Sequence, residues 1–211
     1  MEDWDAWLLY PQHRWVYNKL ELSLRLGYLC GPAPMPVPRS GYYCVRPIMN
    51  LGGMAAQAQI KFLKEETILE LAPAHFWCER FIGTQYSVNF EWQDDSLVPV
   101  HTSVGFNESS NLYRFKSWKR VYNREFELPD WISELKDVDK INMEFIGDKI
   151  IEIHLRWGED FPEGAEEIVP IYEDTDPKTS KKLEQQGYLW NEDYVDAEKN
   201  IPKARLGFYY K

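Results

Sequence analysis

The sequence predicts an α+β fold, in which short antiparallel strands joined by turns are interrupted by a few helices. Two observations favour it: apolar or alternating runs of strand length follow one another between turn signals, and helical spacing occurs only in short segments. With 44% hydrophobic and 15% aromatic residues among 211, the chain has ample material for a packed core. This length suits one domain, or two small subdomains that share a core.

Charge and cysteine content narrow the function classes. The formal net charge of -10 argues against a general nucleic-acid coat or an anionic membrane surface as a partner. The three cysteines show no paired or metal-like spacing, and the start Met1–Asp5 lacks the basic and apolar runs of an export signal. No apolar run approaches the length that spans a bilayer. We therefore expect a cytoplasmic protein with no membrane partner.

In the first half of the chain, the patterns predict one helix followed by strands. Apolar residues at Val16, Leu20 and Leu24 predict a helix over 16–26. The proline-rich residues 31–41 predict an extended connector, because proline lacks a backbone donor. The strands that we expect after it are Tyr42–Met49, Ile60–Leu63, His75–Ile82, Tyr86–Trp92 and Leu97–Val104.

The second half combines loops with one clear hairpin. Residues 105–124 are polar, aromatic and basic, and they predict a loop with weak local structure. Asp130 is the expected N-cap of a short amphipathic helix that precedes a hairpin over 141–156. Beyond the hairpin we expect acidic surface loops over 158–200, one helix near 180–186 and an edge strand over 205–210.

The hairpin 141–156 carries the most informative pattern. Gly147-Asp148 predicts a tight turn, which brings Glu144 close to the second strand. On that strand Glu152, His154 and Arg156 point one way, and the apolar residues Ile151, Ile153 and Leu155 point the other. Two carboxylates that face one cleft repel each other unless a cation or a proton lies between them. An oxygen-ligated divalent metal that also holds phosphates is the usual arrangement.

Four segments resemble the ATP-grasp superfamily, in particular its carbamoyl phosphate synthetase and biotin carboxylase type core. They follow one another along the chain in the order that the family has. The hairpin is similar to the family's metal-binding segment. Asn18-Lys19-Leu20 resembles the start of the family's first helix. Tyr43–Pro47 with Leu51–Met54 resembles its strand and glycine-rich phosphate loop, and Trp77–Val88 resembles its hinge.

The resemblance implies a fold of two α+β subdomains with antiparallel sheets that grip ATP between them, without a separate domain in front. Residues 42–104 would form the strand-rich, nucleotide-gripping subdomain, and 1–41 with 105–211 would form the other. It also implies an ATP-dependent ligase that joins a carboxylate to an amine through an acylphosphate, with ATP and Mg²⁺, or Mn²⁺, in the cleft. A protein partner or a second copy would supply the missing substrate surface, and the substrates would be either free or attached to a macromolecule.

Site residues follow from the same resemblance. Glu144, Glu152 and His154 would ligate the metal, although His154 stands where the family usually has Asn, and imidazole prefers softer metals than Mg²⁺. Arg156 would stabilise the transferred phosphoryl group. The ATP-binding residues would be Lys19, Arg46, Gly52, Gly53, Glu79, Arg80, Ile82 and Gln85.

Two further interpretations stay open. A degenerate ATP-grasp interaction protein would bind nucleotide without turnover. The basic and aromatic residues of 113–124 would serve phosphate or acceptor-substrate binding, single-stranded nucleic-acid binding, or only a solvated loop. The basic members of this cluster are Arg114, Lys116, Lys119, Arg120 and Arg124.

Overall fold

The computed structural model describes residues 1–49, 51, 57–66, 70–107, 112, 114–158, 161–191 and 205–211. The predicted phosphate loop residues Gly52 and Gly53 lie outside the described residues. Within these ranges, twelve strands form one four-stranded and one eight-stranded sheet, in which the pairings are antiparallel, and short helices pack around them. The α+β class with antiparallel sheets is therefore confirmed. No helix in the described ranges has the length and apolarity needed to cross a membrane.

The helices are short. They are α1 (Asp3–Leu9), α2 (Lys19–Arg25) and α3 (Pro177–Gln185), with 3₁₀ turns at Pro11–Tyr17 and Asp130–Leu135.

The predicted helix over 16–26 is in fact two elements. The chain breaks at Asn18, whose side chain caps α2 by accepting a hydrogen bond from the Glu21 amide at 3.1 Å. The predicted cap at Asp130 is wrong, because Pro129 occupies the N-cap of a 3₁₀ turn and no side chain caps it. The predicted helix near 180–186 is confirmed as the second half of α3.

The four-stranded sheet has the order β1-β4-β2-β3. The expected extended connector begins with the short strand β1, which joins the edge of this sheet. On one face Tyr43, Val45 and Trp77 pack on each other. On the other face Phe76 and Cys78 pack against residues outside the sheet, which include Leu20, Tyr28 and Phe81. The strands are β1 (Cys30–Pro32), β2 (Gly41–Pro47), β3 (Gln59–Leu63) and β4 (His75–Glu79).

The eight-stranded sheet has the order β11-β12-β10-β7-β6-β5-β8-β9. Its strands are β5 (Gln85–Gln93), β6 (Ser96–Asn107), β7 (Phe115–Val121), β8 (Lys140–Ile146), β9 (Lys149–His154), β10 (Glu167–Tyr172), β11 (Leu189–Asn191) and β12 (Arg205–Tyr210).

Three predictions for this part of the chain are wrong. Residues 105–124 are not simply a loop, because β6 continues to Asn107 and β7 follows in the middle of the sheet. The expected loops over 158–200 contain β10 and β11. The strand over 205–210 exists, but it lies between β10 and β11 and is not an edge strand.

The core lies on one face of β5, β8 and β9. The side chains that form it alternate along the strands and pack against α1, the first 3₁₀ turn and residues 132–138; those of the sheet are Val88, Phe90, Ile141, Met143, Phe145, Ile150, Ile153 and Leu155. A bulge between Glu144 and Phe145 shifts the register, so Phe145 pairs with Ile150. For this reason Ile150, and not the predicted Ile151, joins Ile153 and Leu155 in the core.

Candidate active site

The opposite face of the hairpin is polar, as the alternation predicts. Glu144 on β8 pairs directly with Glu152 on β9, and Asn142 pairs with His154. The next strand continues this polar surface, since Ser87 pairs with Glu144. The turn at Gly147, whose φ is 61°, closes the hairpin and sets this register. The predicted proximity of the two carboxylates is therefore present in the structure.

Two cations from other parts of the chain meet Glu152. Lys19, at the first turn of α2, is 5% exposed and its Nζ contacts Oε1 of Glu152. Arg46, near the end of β2, places Nη1 at 3.5 Å from the same oxygen and donates from Nη2 to the Ile151 carbonyl at 3.2 Å. Arg46 thereby connects the small sheet with the edge strand of the large one.

One donor of Arg46 remains available. Its Nε is buried and has no hydrogen-bond partner among the described residues. A buried guanidinium N–H without a partner is costly, and an anion that enters beside β2 would satisfy it. Arg46 is thus suited to bind an oxyanion such as a phosphate.

The two carboxylates have opposite electrostatic surroundings. Burial, reinforced by the charge of Glu152, raises the pKa of Glu144 to about 7, and Gln85 Nε2 donates to its Oε2 at 3.1 Å. Burial also acts to raise the pKa of Glu152, but Lys19, Arg46 and His154 together hold it below its ordinary value. Glu152 is therefore ionised, whereas Glu144 is partly protonated near neutral pH.

His154 and Arg156 are held by an acid that the sequence patterns did not single out. Asp3, in the first turn of α1, is 2% exposed; its Oδ2 lies 2.8 Å from Nδ1 of His154 and its Oδ1 lies 2.9 Å from Nε of Arg156. The other ring nitrogen of His154 lies 3.6 Å from Oε2 of Glu152. The pKa of Asp3 falls to about 2, because the charges and hydrogen bonds of His154 and Arg156 outweigh the effect of burial.

Asn142, Asn89 and Ser87 were also missed, although their signal was local. Asn142 is two positions before Glu144, so the same alternation places it on the polar face. Its amide donates to Oγ of Ser87 at 2.9 Å and to Oδ1 of Asn89 at 2.8 Å. These bonds fix the floor of the site between β5 and β8.

The predicted hinge connects the two sheets, since residues 80–84 pass from β4 to β5. Arg80 and Ile82 are exposed there, and the Glu79 carboxylate accepts from the Leu29 amide at 2.9 Å. Gln85, expected at a ribose, contacts Glu144 instead. The adenine and ribose roles of Glu79, Arg80, Ile82 and Gln85 stay predictions.

The three cysteines form a row across the small sheet, although their spacing in the sequence suggested no relation. Cys78 on β4 pairs directly with Cys30 on β1 and with Cys44 on β2. Burial raises the pKa of all three thiols, that of Cys78 to about 12. They are therefore unsuited to act as nucleophiles, as expected of strand residues.

The basic and aromatic cluster is divided by the fold. Arg114 pairs with Asp174 at 2.7 Å and Lys119 with Glu167 at 3.4 Å, while Arg124 pairs with Asp148. Lys116 is exposed. Arg120 is half-buried and its side chain belongs to the polar face of the sheet, because its strand partner Ser103 also pairs with Ser87. The substrate and nucleic-acid roles of this cluster stay predictions.

The side chains predicted to ligate a metal ion fit that role only in part. In the described ranges, no group of three or more His, Cys, Asp or Glu residues is arranged to hold a metal. Glu144 and Glu152 present the oxygens that Mg²⁺ prefers, yet Lys19 and Arg46 engage Glu152. The pair therefore suits an ion that shares its coordination with phosphates, and does not suit one held by protein alone. The role of His154 as a ligand stays a prediction.

Comparisons with known proteins show the fold. No protein-family model matches the chain, and no curated protein matches its sequence. An L-amino acid ligase from Bacillus licheniformis matches in structure with a TM-score of 0.52 at 10% identity, over 91% of this chain and 64% of its own. A carboxyaminoimidazole ribonucleotide synthase from Aspergillus clavatus, complexed with ATP, matches with a TM-score of 0.53 at 13% identity, over 93% and 68%. The chain has an ATP-grasp fold.

A third structure of this fold supports the same assignment. An N5-carboxyaminoimidazole synthetase from Staphylococcus aureus, complexed with ADP, matches with a TM-score of 0.51 at 10% identity, over 91% of this chain and 65% of its own. These three structural neighbours are named as a ligase, a synthase and a synthetase, and two of them hold adenine nucleotides. The chain spans 64% of the length of the ligase.

Proposed function

We propose that this chain is an ATP-dependent ligase of the carboxylate–amine type, with ATP bound between the four-stranded sheet and the β8–β9 hairpin. The observation that carries the proposal is the convergence of Lys19 and Arg46 on Glu152, directly opposite Glu144, where the two sheets meet. Cations beside paired carboxylates are the groups that a nucleoside triphosphate and its metal require. The ligases and synthetases among the structural neighbours support the same class of reaction.

Phosphate binding would exchange partners within the site. The triphosphate would draw Lys19 and Arg46 away from Glu152, and the free Nε of Arg46 would gain an acceptor. Glu144 and Glu152 would then hold Mg²⁺ or Mn²⁺, which neutralises phosphate charge when bound. The face of the small sheet that carries Cys44, opposite to the packed face of Tyr43 and Val45, would lie beside the base.

The reaction would proceed in two displacements. An oxygen of the substrate carboxylate attacks the γ-phosphorus of ATP, the bond to the bridging oxygen breaks, and ADP leaves with that electron pair. An amine then attacks the carbonyl carbon of the acylphosphate, and phosphate leaves as the amide forms and the amine loses a proton. Arg156, oriented by two bonds to Asp3, would stabilise the oxyanions of the transferred group. Such catalysis consists of positioning and charge neutralisation.

A second candidate is a nucleotide-binding protein without turnover. It is favoured by the contacts of Glu152, whose two carboxylate oxygens both face cationic or ring-nitrogen groups from Lys19, Arg46 and His154. The variant His154→Asn separates the candidates, because it restores the amide that the family usually has at this position. ADP formation that rises in the variant indicates an active site, and nucleotide binding without ADP formation in both proteins indicates a binding module.

The test of turnover is ADP formation from ATP and Mg²⁺ in the presence of mixed amino acids, followed by mass spectrometry for new amides. We expect ADP in amounts that depend on an added carboxylate, and at least a tenfold lower rate for Arg46→Gln. Arg25→Gln is the matched control, since Arg25 is exposed and pairs with Glu134 at 3.0 Å, away from the site. Equal rates for the two variants would contradict the proposal.

A further inference from the structure

A row of directly paired side chains crosses five adjacent strands of the large sheet. Glu152 pairs with Glu144, Glu144 with Ser87, Ser87 with Ser103, and Ser103 with Arg120. Paired residues of neighbouring antiparallel strands project from the same face. The carboxylates and Arg120 therefore stand at the two ends of one continuous polar surface.

The distance along this row follows from strand spacing. Three strand-to-strand steps separate β8, which carries Glu144, from β7, which carries Arg120. At about 4.8 Å per step, the two side chains are attached roughly 14 Å apart. A group bound at Arg120 is therefore not the group that reacts beside Glu144 and Glu152, and one extended small molecule could reach both ends.

Aromatic side chains border Arg120 on this face. Trp118 and Tyr122 occupy the alternate positions on either side of it, and the Arg120 guanidinium carbon lies 5.2 Å from the centre of the Tyr122 ring, which is 59% exposed. Phe115 stacks beside Trp118 with ring centres 4.3 Å apart.

These two rings lie against the sheet at Gly105, which has no side chain to keep them away. A Cβ atom built at Gly105 would lie only 2.7 Å from Phe115 and 2.9 Å from Trp118. Gly105 pairs with Gln85, which donates to Glu144, so the aromatic surface adjoins the carboxylate end of the site.

Arg120 differs from its basic neighbours in its charge partners. Arg114, Lys119 and Arg124 each form an ion pair with an aspartate or glutamate. Within the described part of the chain Arg120 forms none, and the Glu166 carboxylate near it accepts a hydrogen bond from the Tyr122 hydroxyl instead. The guanidinium fork of Arg120 is therefore free to bind an oxyanion.

We propose that this surface, consisting of Arg120, Trp118, Tyr122 and Phe115, binds the distal end of the acceptor substrate, and that this end carries a carboxylate beside a flat unsaturated ring. The proposal rests on the proposed function for the assignment of the reacting end to Glu144 and Glu152. A carboxylate suits the site better than a phosphate, because one guanidinium balances a single charge and Glu166 lies beside it. The rings offer the stacking surface for the flat group.

The experiment compares N-acetyl-L-tryptophan with its neutral amide by calorimetry at saturating ADP. We expect the acid to bind the wild-type protein in the millimolar range and the amide to bind at least fivefold more weakly. Arg120→Gln should remove this preference. Lys119→Gln is the matched control, since Lys119 lies on the same strand, faces the other way and pairs with Glu167 at 3.4 Å; it should retain the preference.

Equal binding of acid and amide by the wild-type protein, or no binding of either, would overturn the proposal. So would loss of the preference in Lys119→Gln to the same extent as in Arg120→Gln. If Arg120→Gln fails to fold, Arg120→Lys takes its place, because it keeps the charge without the fork and should lower the preference at least twofold. ADP binding is measured in the same series: its failure contradicts the proposed function, whereas ADP binding without a preference for the acid contradicts this inference alone.

Discussion

Replacing Asp3 by Asn tests whether the first helix is part of the charged network of the site. The carboxylate of Asp3 is buried and contacts His154 and Arg156. Asparagine keeps the shape but removes the charge that both groups require. We expect the variant to be less stable at neutral pH and to hold Arg156 less firmly.

The structure sets the size of this effect. Lowering the Asp3 pKa from 3.8 to about 2 corresponds to roughly 2.4 kcal/mol, at about 1.36 kcal/mol per pKa unit. Because this pKa is lower in the folded state, the stabilisation is complete above pH 3.8 and is lost as the pH falls through 2. A loss of about 2 to 3 kcal/mol corresponds to a decrease in melting temperature of roughly 5 to 10 °C for a chain of this length.

The assay is urea unfolding of the wild-type protein and of Asp3→Asn between pH 7 and pH 2.5. We expect the difference in unfolding free energy to be largest at pH 7 and to shrink as the pH approaches 2.5. Asp5→Asn is the matched control, since Asp5 is an exposed acid of the same helix. A difference that does not change with pH, or an equal loss in Asp5→Asn, would refute the reasoning.

Three other substitutions or reactions test separate parts of the structure. Glu144→Gln should raise the free energy of unfolding by about 1 to 3 kcal/mol at pH 8. The reason is that a carboxyl whose pKa is raised to about 7 in the folded state destabilises the fold as the pH rises from 4.5 through 7. Chemical denaturation that shows no gain at pH 8, or a gain that persists at pH 4, would contradict this expectation. Gly105→Ala should cost about 1 to 3 kcal/mol in thermal unfolding, because its Cβ would meet the Phe115 ring at 2.7 Å, and an unchanged transition would contradict that contact. Cys78, whose pKa is about 12, should react with iodoacetamide at pH 8 roughly a thousandfold more slowly in the native than in the unfolded protein. Mass spectrometry of the labelled peptide measures the two rates, and similar rates would contradict the burial of this thiol.

The sequence predicts the hairpin well because its signals are local. Alternation and the Gly147 turn place Glu144 opposite Glu152 without any knowledge of the rest of the chain. Asp3 could not be found in this way, because its contact with His154 joins residues that are 151 positions apart. Lys19 and Arg46 were identified only through a family resemblance, and their convergence on Glu152 is a property of the tertiary structure.

The missed strands have a physical explanation as well. Strand β10 contains Pro170, which normally argues against a position inside a sheet. The structure accommodates it because only Glu167 and Ile168 pair with β7, so Pro170 lies beyond that pairing and faces β12 alone. Strand β7 mixes basic and aromatic residues without a clean alternation of apolar and polar positions, a pattern that looks like a solvated loop until both of its neighbours are known.

The central claim is that the meeting point of the two sheets binds the triphosphate of ATP through Lys19 and Arg46. Isothermal calorimetry of the folded protein with ATP and Mg²⁺, and with adenosine for comparison, tests it most directly. The account predicts saturable binding of ATP, much weaker binding of adenosine, and a loss of affinity of at least tenfold in Lys19→Met. No heat of binding at millimolar ATP, or equal affinities for ATP and adenosine, would contradict it.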